Sequence, residues 1–161
     1  MKKLLQSGFT LVELIIIILL VAILAATALP KFINMSSQTK KASAANTAGE
    51  FASAVNIAHA QWIANNNPKI IKLEGKNIVM TTQGWPKDIN DKDNGELTAE
   101  KCLTIWNNLL NNPPPASIKC TELCQYLVTV DEDDQICLFT DQQGRGANVI
   151  QYNTTNGLIS L

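Results

Sequence analysis

Glu13 is the most unusual residue of the sequence, because it lies inside an otherwise apolar run from Phe9 to Leu29. Placing a charged carboxylate at the centre of a membrane helix costs about 2.5 to 3.5 kcal/mol even on lenient insertion scales. An acidic residue at such a position is therefore a candidate for function. The chemistry available to it is ionic, so we expect Glu13 to pair with a cation.

The apolar run itself is long enough to cross a membrane. As a helix that rises about 1.5 Å per residue, Phe9–Leu29 would extend roughly 31 Å, the thickness of a hydrocarbon core. Lys2 and Lys3 precede the run, and no acidic residue lies before Glu13. By the positive-inside tendency, the N-terminus stays in the cytoplasm and the chain beyond Pro30 is exported.

The start of the run carries a recognisable motif. Residues Gly8-Phe9-Thr10-Leu11-Val12-Glu13, followed by Pro30, resemble the N-terminal motif of the type IV pilin and pseudopilin family. In that family a dedicated prepilin peptidase cuts after the glycine and methylates the new N-terminal phenylalanine. The resemblance implies cleavage between Gly8 and Phe9 and N-methylation of Phe9. An ordinary secretory signal peptide is the alternative, but its apolar core is only about 7 to 15 residues long.

Such cleavage would supply a cation for Glu13. The new α-amino group of Phe9 is cationic near neutral pH. It would lie about one turn from Glu13 of its own helix, or against Glu13 of a neighbour in a stack of subunits. At about 4 Å, opposite charges attract by on the order of 4 kcal/mol at an effective dielectric of 20, which offsets the insertion penalty. We favour the neighbouring subunit; a glutamate that snorkels to the membrane surface is the alternative.

A second helical segment should follow Pro30. Proline lacks an amide proton and clashes with the carbonyl of Ala26, so we expect a kink at Pro30, after which the helix resumes. Apolar residues then recur at the spacing of one helical face. They are Ala44, Ala48, Phe51, Val55, Ala58 and Trp62. Asn65-Asn66-Asn67-Pro68 should end the helix.

The remaining sequence predicts short strands and one further helix. We expect that helix over Thr98–Leu110, with Thr98 as its N-cap. Alternating apolar residues and turn signals predict the strands. They are expected at residues 70–73, 78–80, 125–130, 135–140, 147–152 and 157–161, with turns at 131–134 and 154–157.

The predicted fold class is α+β and pilin-like: a long N-terminal helix packed on a small antiparallel β-sheet head with disulfides. Residues 1–8 would be the cleaved leader and residues 9–29 the transmembrane and filament-core helix. An amphipathic continuation of the helix at 30–66 would lead to a periplasmic globular head at 67–161.

Four cysteines, Cys102, Cys120, Cys124 and Cys137, lie in the exported part of the chain, where disulfides persist. We predict two bridges and leave the three possible pairings open. Pilins usually have one disulfide in their C-terminal region, so this number departs from the family pattern. The spacing of Cys120 and Cys124 differs from the Cys-x-x-Cys of redox and zinc modules, and no histidine follows His59. We therefore predict no metal site.

Other polar candidates have simpler explanations. Asp131-Glu132-Asp133-Asp134, or Asp88, Asp91 and Asp93, could coordinate calcium, but neither set fits an EF-hand loop, and we expect solvated turns. His59 has no acid–base partner in the sequence. The tryptophans are expected to be packing anchors. They are Trp62, Trp85 and Trp106.

Within the pilin family, the sequence resembles the mannose-sensitive haemagglutinin (MSHA)-type pilins. Three segments carry this resemblance. They are Pro30-Lys31-Phe32-Ile33-Asn34, His59-Ala60-Gln61-Trp62 and Gly84-Trp85-Pro86.

The resemblance implies a structural subunit of a type IV pilus on a Gram-negative bacterium, with a role in adhesion, surface attachment or motility. Its partners would be identical or related pilin subunits, the prepilin peptidase and, indirectly, the inner-membrane assembly platform and its ATPase. The precursor would be a single-pass inner-membrane protein, and the product an extracellular filament. No cofactor is expected. Nucleic acid is not an expected partner, because a formal net charge of -1 provides no basic face.

Two alternatives remain from the sequence. A pseudopilin of a type II secretion system would share the N-terminal features, although a glycine- and aspartate-rich C-terminal calcium loop is absent. A signal-anchored periplasmic binding protein or enzyme is the other alternative. We expect no enzyme, because no constellation of nucleophile, base or ligand residues is present.

Overall fold

The structure is a computed structural model that describes residues 9–89, 95–121, 124–133, 135–143 and 148–161. Contacts divide the chain into two units between Thr39 and Lys40. Several residues used in the sequence predictions lie outside the described part of the chain. They include Gly8, Asp91, Asp93, Asp134 and Ala147.

Helix α1 covers Leu11–Ala64, 54 residues, and its backbone continues through position 30. It ends where the asparagines begin. Asn66 and Asn67 have φ values of 63° and 58°, the left-handed conformation in which helices commonly end. The amide of Asn67 donates to the carbonyl of Trp62 at 3.0 Å. The predicted end of the helix is confirmed, and the kink at Pro30 stays a prediction.

Beyond Thr39, helix α1 buries the predicted apolar face. Phe51, Val55 and Ala58 are fully buried, Ala44 and Ala48 are nearly so, and Trp62 is half-buried. Residues on the opposite side, such as Ile57, are exposed. The helical spacing of the apolar residues therefore identified the packed face correctly.

The head contains a three-stranded antiparallel sheet, in the order β1 (Ile70–Leu73), β2 (Lys76–Met80) and β3 (Pro86–Asp88). The first two strands were predicted. Strand β3 was not predicted, and it begins at a proline, Pro86. A proline is tolerated there because it occupies the first position of an outer strand.

A second helix precedes the larger sheet. Helix α2 covers Ala99–Leu109, and the hydroxyl of its N-cap, Thr98, accepts a hydrogen bond from the amide of Lys101. This confirms the predicted cap and helix. Its buried face includes Cys102, Ile105 and Trp106.

The larger sheet has five strands in chain order. They are β4 (Ala116–Ser117), β5 (Tyr126–Asp131), β6 (Ile136–Asp141), β7 (Val149–Asn153) and β8 (Ile159–Ser160). Strands β5 to β8 pair antiparallel and confirm the predicted strands, with small shifts at their ends. Strand β4 was not predicted, and it pairs parallel with β5.

Five aromatic residues join α1, α2 and the five-stranded sheet in the main core: Phe51, Trp106, Tyr126, Phe139 and Tyr152. The ring centroid of Phe51 lies 5.4 Å from that of Trp106, 5.7 Å from that of Phe139 and 5.4 Å from that of Tyr152. Trp106 also stacks on Phe139 at 4.4 Å. Trp106 is therefore a packing anchor, as predicted.

Two disulfides complete the head. One joins Cys102 of α2 to Cys137 of β6, and the other joins Cys120 to Cys124 in the loop between β4 and β5. The α+β fold class, with its long N-terminal helix, small antiparallel sheet and disulfides, is confirmed.

Candidate assembly site

The first turn of α1 is closed by a reciprocal pair of side chains, Thr10 and Glu13. Glu13 Oε2 accepts hydrogen bonds from the amide of Thr10 at 3.0 Å and from its hydroxyl at 2.9 Å. The Thr10 hydroxyl in turn accepts from the amide of Glu13 at 3.2 Å. This arrangement is a capping box, which satisfies backbone donors that have no partner inside the helix.

Sequence reasoning treated Glu13 only as an ionic group and missed this role. The signal was present, because Thr10-Leu11-Val12-Glu13 has the Thr-x-x-Glu spacing of a capping box. The structure therefore gives Glu13 a partner in its own chain. These bonds use Oε2 and not Oε1, so the second carboxylate oxygen is compatible with an additional cationic partner.

The helix that follows is apolar and uncovered. The 18 residues Leu11–Ala28 are long and apolar enough to cross a membrane, and none of that stretch is buried within the chain. Phe9, just before the helix, is 74% exposed. An exposed apolar surface of this extent marks a membrane or protein contact. The chain therefore presents a capped acidic helix start and an apolar helix to partners outside itself.

The remaining sequence candidates lie in the head. The ring of His59 stacks on Trp85 with centroids 3.9 Å apart, and its Nδ1 lies 2.7 Å from the carbonyl oxygen of Gly84. His59 thus occupies a packed position. Within the described residues, no three His, Cys, Asp or Glu side chains come together in a group that could hold a metal ion.

Trp62 and Trp85 pack closely against glycines. A Cβ atom built on Gly84 would lie 2.2 Å from a ring carbon of Trp62, and one built on Gly157 would lie 2.2 Å from a ring carbon of Trp85. These contacts, with the His59 stack, tie the end of α1 to the β2–β3 loop and to the turn before β8. We call His59, Trp62, Gly84, Trp85 and Gly157 the tryptophan clasp.

Comparison with known protein families gives a match at the N-terminus. The family described as "Prokaryotic N-terminal methylation motif" matches residues 3–29, which include Phe9 and Glu13. Comparison with solved structures gives no match.

Several curated proteins are similar over longer stretches. A fimbrial protein of Neisseria meningitidis serogroup B is 34% identical over 117 residues, which cover 63% of this chain and 66% of that protein, just under two thirds of its length. The type IV major pilin protein PilE1 of Neisseria gonorrhoeae is 32% identical over 148 residues, 82% of this chain and 83% of that protein.

A third relative is similar over a shorter stretch. The type IV narrow pilus major component PilA5 of Thermus thermophilus is 43% identical over 55 residues, 34% of this chain and 47% of that protein. The alignment with PilE1, in contrast, extends over most of both chains. Together with the match at the N-terminus, that alignment shows that the chain belongs to the type IV pilin family.

Proposed function

We propose that the protein is a structural subunit of a type IV pilus that polymerises through the N-terminal part of α1. The observation that carries this proposal is the uncovered apolar stretch Leu11–Ala28, headed by the Thr10–Glu13 cap. This surface needs lipid before assembly and the helices of other subunits afterwards. The names of the relatives, a fimbrial protein and a type IV major pilin, support a pilus in preference to a secretion pseudopilus, a binding protein or an enzyme.

The proposed precursor is an inner-membrane protein with its N-terminus in the cytoplasm and its head in the periplasm. Prepilin peptidase would remove residues 1–8 and methylate Phe9, and the mature chain would pass to the assembly platform and its ATPase. Residues 9–29 would form the filament core, 30–66 the exported part of the helix and 67–161 the head. A kink at Pro30 belongs to the same proposal.

In the filament, Glu13 would meet the cationic amine of Phe9 from an adjacent subunit. The capping box supports this role, because it fixes the carboxylate at the helix start. There the positive end of the helix dipole also favours a negative charge. A carboxylate fixed in this way loses little further side-chain freedom when it pairs, so the ion pair can select the register between subunits.

Replacement of Glu13 by alanine tests this function. Glu13→Ala makes the helix more apolar, so the protein should insert into the inner membrane at least as well as the wild type. Filaments should be lost, because the amine of Phe9 would be buried in the filament core without a partner. We expect the sheared surface fraction to fall at least about tenfold, as an unpaired buried charge costs more than about 1.4 kcal/mol.

Thr27→Ala is the matched control, because its hydroxyl donates only within the same helix, to the carbonyl of Leu24 at 3.0 Å. This variant should assemble normally. Both variants are quantified by immunoblot of sheared and membrane fractions from strains that express only the variant. Normal filament yield from Glu13→Ala would contradict the proposed register, and failure of both variants would point to the apolar surface alone.

Processing gives a second test of the same proposal. If prepilin peptidase acts between Gly8 and Phe9, the exported protein should begin with N-methylated phenylalanine. Intact-mass spectrometry of protein from sheared filaments and from membranes measures this directly. An N-terminus at Met1, or one near Ala28, would contradict the assignment to the pilus pathway.

We further propose that the protein belongs to the MSHA-type subclass and has no enzymatic activity. Support for the subclass comes from the tryptophan clasp, in which His59, Trp62, Gly84 and Trp85, all from segments that carry the resemblance, lie in one cluster. The names of the relatives, a fimbrial protein and a type IV major pilin protein, support a structural role. Adhesion, attachment or motility would then be properties of the filament.

A further inference from the structure

The two disulfides of the head have different surroundings. Cys102 and Cys137 are both 0% exposed and belong to the main core with Trp106 and Phe139. Cys120 and Cys124, in contrast, are only half-buried. An external thiolate must reach a sulfur atom directly to exchange with it. The half-buried disulfide should therefore exchange more readily than the buried one.

The second disulfide faces an open cavity. Cys120 and Cys124 both line a depression of about 500 Å³ beside β5. Among the described residues, its other walls are polar or small. They are Pro115, Thr121, Gln125, Gln142 and Gln143. A small dithiol fits a space of this volume.

The strand next to this disulfide is held by other bonds. The amides of Gln125 and Tyr126 both donate to the carbonyl of Pro115, at 2.9 and 3.0 Å, and the amide of Gln142 donates to the carbonyl of Gln125 at 2.8 Å. The Cys124 sulfur lies 2.9 Å from the carbonyl oxygen of Tyr126. A Cys124 thiol would therefore have a hydrogen-bond acceptor within reach. Reduction of the disulfide would leave β5 hydrogen-bonded to its neighbours.

We propose that Cys120–Cys124 is a thiol–disulfide exchange site that reacts with small dithiols while the head stays folded. A thiolate of the dithiol attacks one of the two sulfurs, and the other cysteine leaves as a thiolate that takes a proton from water. The second thiol of the reagent then displaces the first cysteine from the mixed disulfide. Two electrons pass to the protein, and the reagent becomes a disulfide.

The test uses the full chain in detergent micelles with dithiothreitol as the probe. Samples are alkylated at intervals, digested and analysed by mass spectrometry, so that each cysteine is followed separately. We expect Cys120 and Cys124 to be labelled at least about 100-fold faster than Cys102 and Cys137, because the buried pair reacts only after unfolding. The near-ultraviolet circular dichroism of the aromatic core should stay constant during the fast phase.

A paired variant, Cys120→Ser with Cys124→Ser, serves as the matched control. It should lose the fast phase and keep the near-ultraviolet signal, with Cys102 and Cys137 as slow to react as in the wild type. Equal labelling rates for all four wild-type cysteines would overturn the proposal. So would loss of the near-ultraviolet signal during the fast phase, or rapid labelling of Cys102 and Cys137 in the variant, since either would show that the short bridge maintains the core.

Discussion

At the scale of single residues, the tryptophan clasp sets the tightest requirements in the head. Gly157 has φ +73° and lies directly under the ring of Trp85, so this position combines a left-handed backbone with the absence of room for a side chain. Gly75, in the turn between β1 and β2, has a similar φ of +81° but nothing within 4 Å of an added Cβ. The two glycines therefore separate backbone strain from steric conflict.

We predict that Gly157→Ala lowers the free energy of unfolding by about 3 kcal/mol, the sum of left-handed strain and overpacking against Trp85. Gly75→Ala should cost only about 1 kcal/mol, because it carries the strain alone. Urea unfolding, monitored by tryptophan fluorescence, measures both. Equal losses for the two variants would show that Trp85 moves aside at no cost.

Some features of single residues could be predicted from the sequence, and others could not. The cap at Thr98 could be predicted because capping is local in sequence, and the capping box at Thr10 could have been found for the same reason. The disulfide connectivity could not be predicted, since it depends on which side chains of α2 and β6 face the same core. The stack of His59 on Trp85 could not be predicted either. The two rings are 26 positions apart in the sequence (85 minus 59), and only the folded head brings them together.

At the scale of elements, helix α1 changes character along its length. The stretch Leu11–Ala28 exposes apolar side chains all round, whereas beyond Thr39 one face is buried against the head and the other is exposed. Phe51 and Ile57 represent the two faces of the second part. The first is fully buried between three aromatic rings, and the second is 57% exposed.

Phe51→Ala should therefore destabilise the head by about 3 to 5 kcal/mol, the usual cost of a large core cavity. Ile57→Ala, an apolar truncation on the same helix, should change the free energy of unfolding by less than about 0.5 kcal/mol. Thermal unfolding followed by near-ultraviolet circular dichroism distinguishes them. A large loss from Ile57→Ala would mean that its face is covered in the protein as isolated.

Most of the elements that sequence patterns predicted have enough residues to show a period, whereas the two-residue strand β8 was predicted from the turn signal before it. The face of α1, helix α2 and strands β5 to β7 all repeat apolar residues at helical or alternating spacing. Strand β4 has two residues and β3 has three, so neither shows a period. The parallel pairing of β4 with β5 depends on the chain that turns between them, which local propensity does not encode.

At the scale of the whole molecule, the free energy of unfolding should fall at high pH because of the two tyrosines. Burial raises the pKa of Tyr152, whose hydroxyl donates to the carbonyl of Pro86 at 2.7 Å. Burial and the neighbouring Asp141 raise the pKa of Tyr126, against an opposing hydrogen bond with Thr47. Both side chains ionise near their ordinary pKa of 10.0 only in the unfolded chain. The folded state therefore keeps more protons above that pH, and stability falls as the pH rises.

We predict that the free energy of unfolding is insensitive to these tyrosines below pH 9 and declines above pH 10, by about 1.4 kcal/mol per pH unit for each tyrosine that stays protonated. Tyr152→Phe should cost about 1 kcal/mol at pH 8, through the lost hydrogen bond, and should make the decline less steep. Urea titrations from pH 8 to 11 measure both slopes. The two proteins differ only at this residue, so the difference in slope isolates Tyr152; parallel curves would contradict the prediction.

The ends of the five-stranded sheet have a consequence for how such a subunit self-associates. Within the described residues, its two edges are β4 and β8, and each has only two residues. Open sheet edges are templates for ladder growth between chains, and very short edge strands are one way in which proteins prevent it. A chain that polymerises as proposed is packed among its own copies at high local concentration. Strands β4 and β8 each cover two residues of the longer strand beside them, which shortens the edge that those copies could extend and favours ordered growth along the helix over amyloid-like growth through the heads.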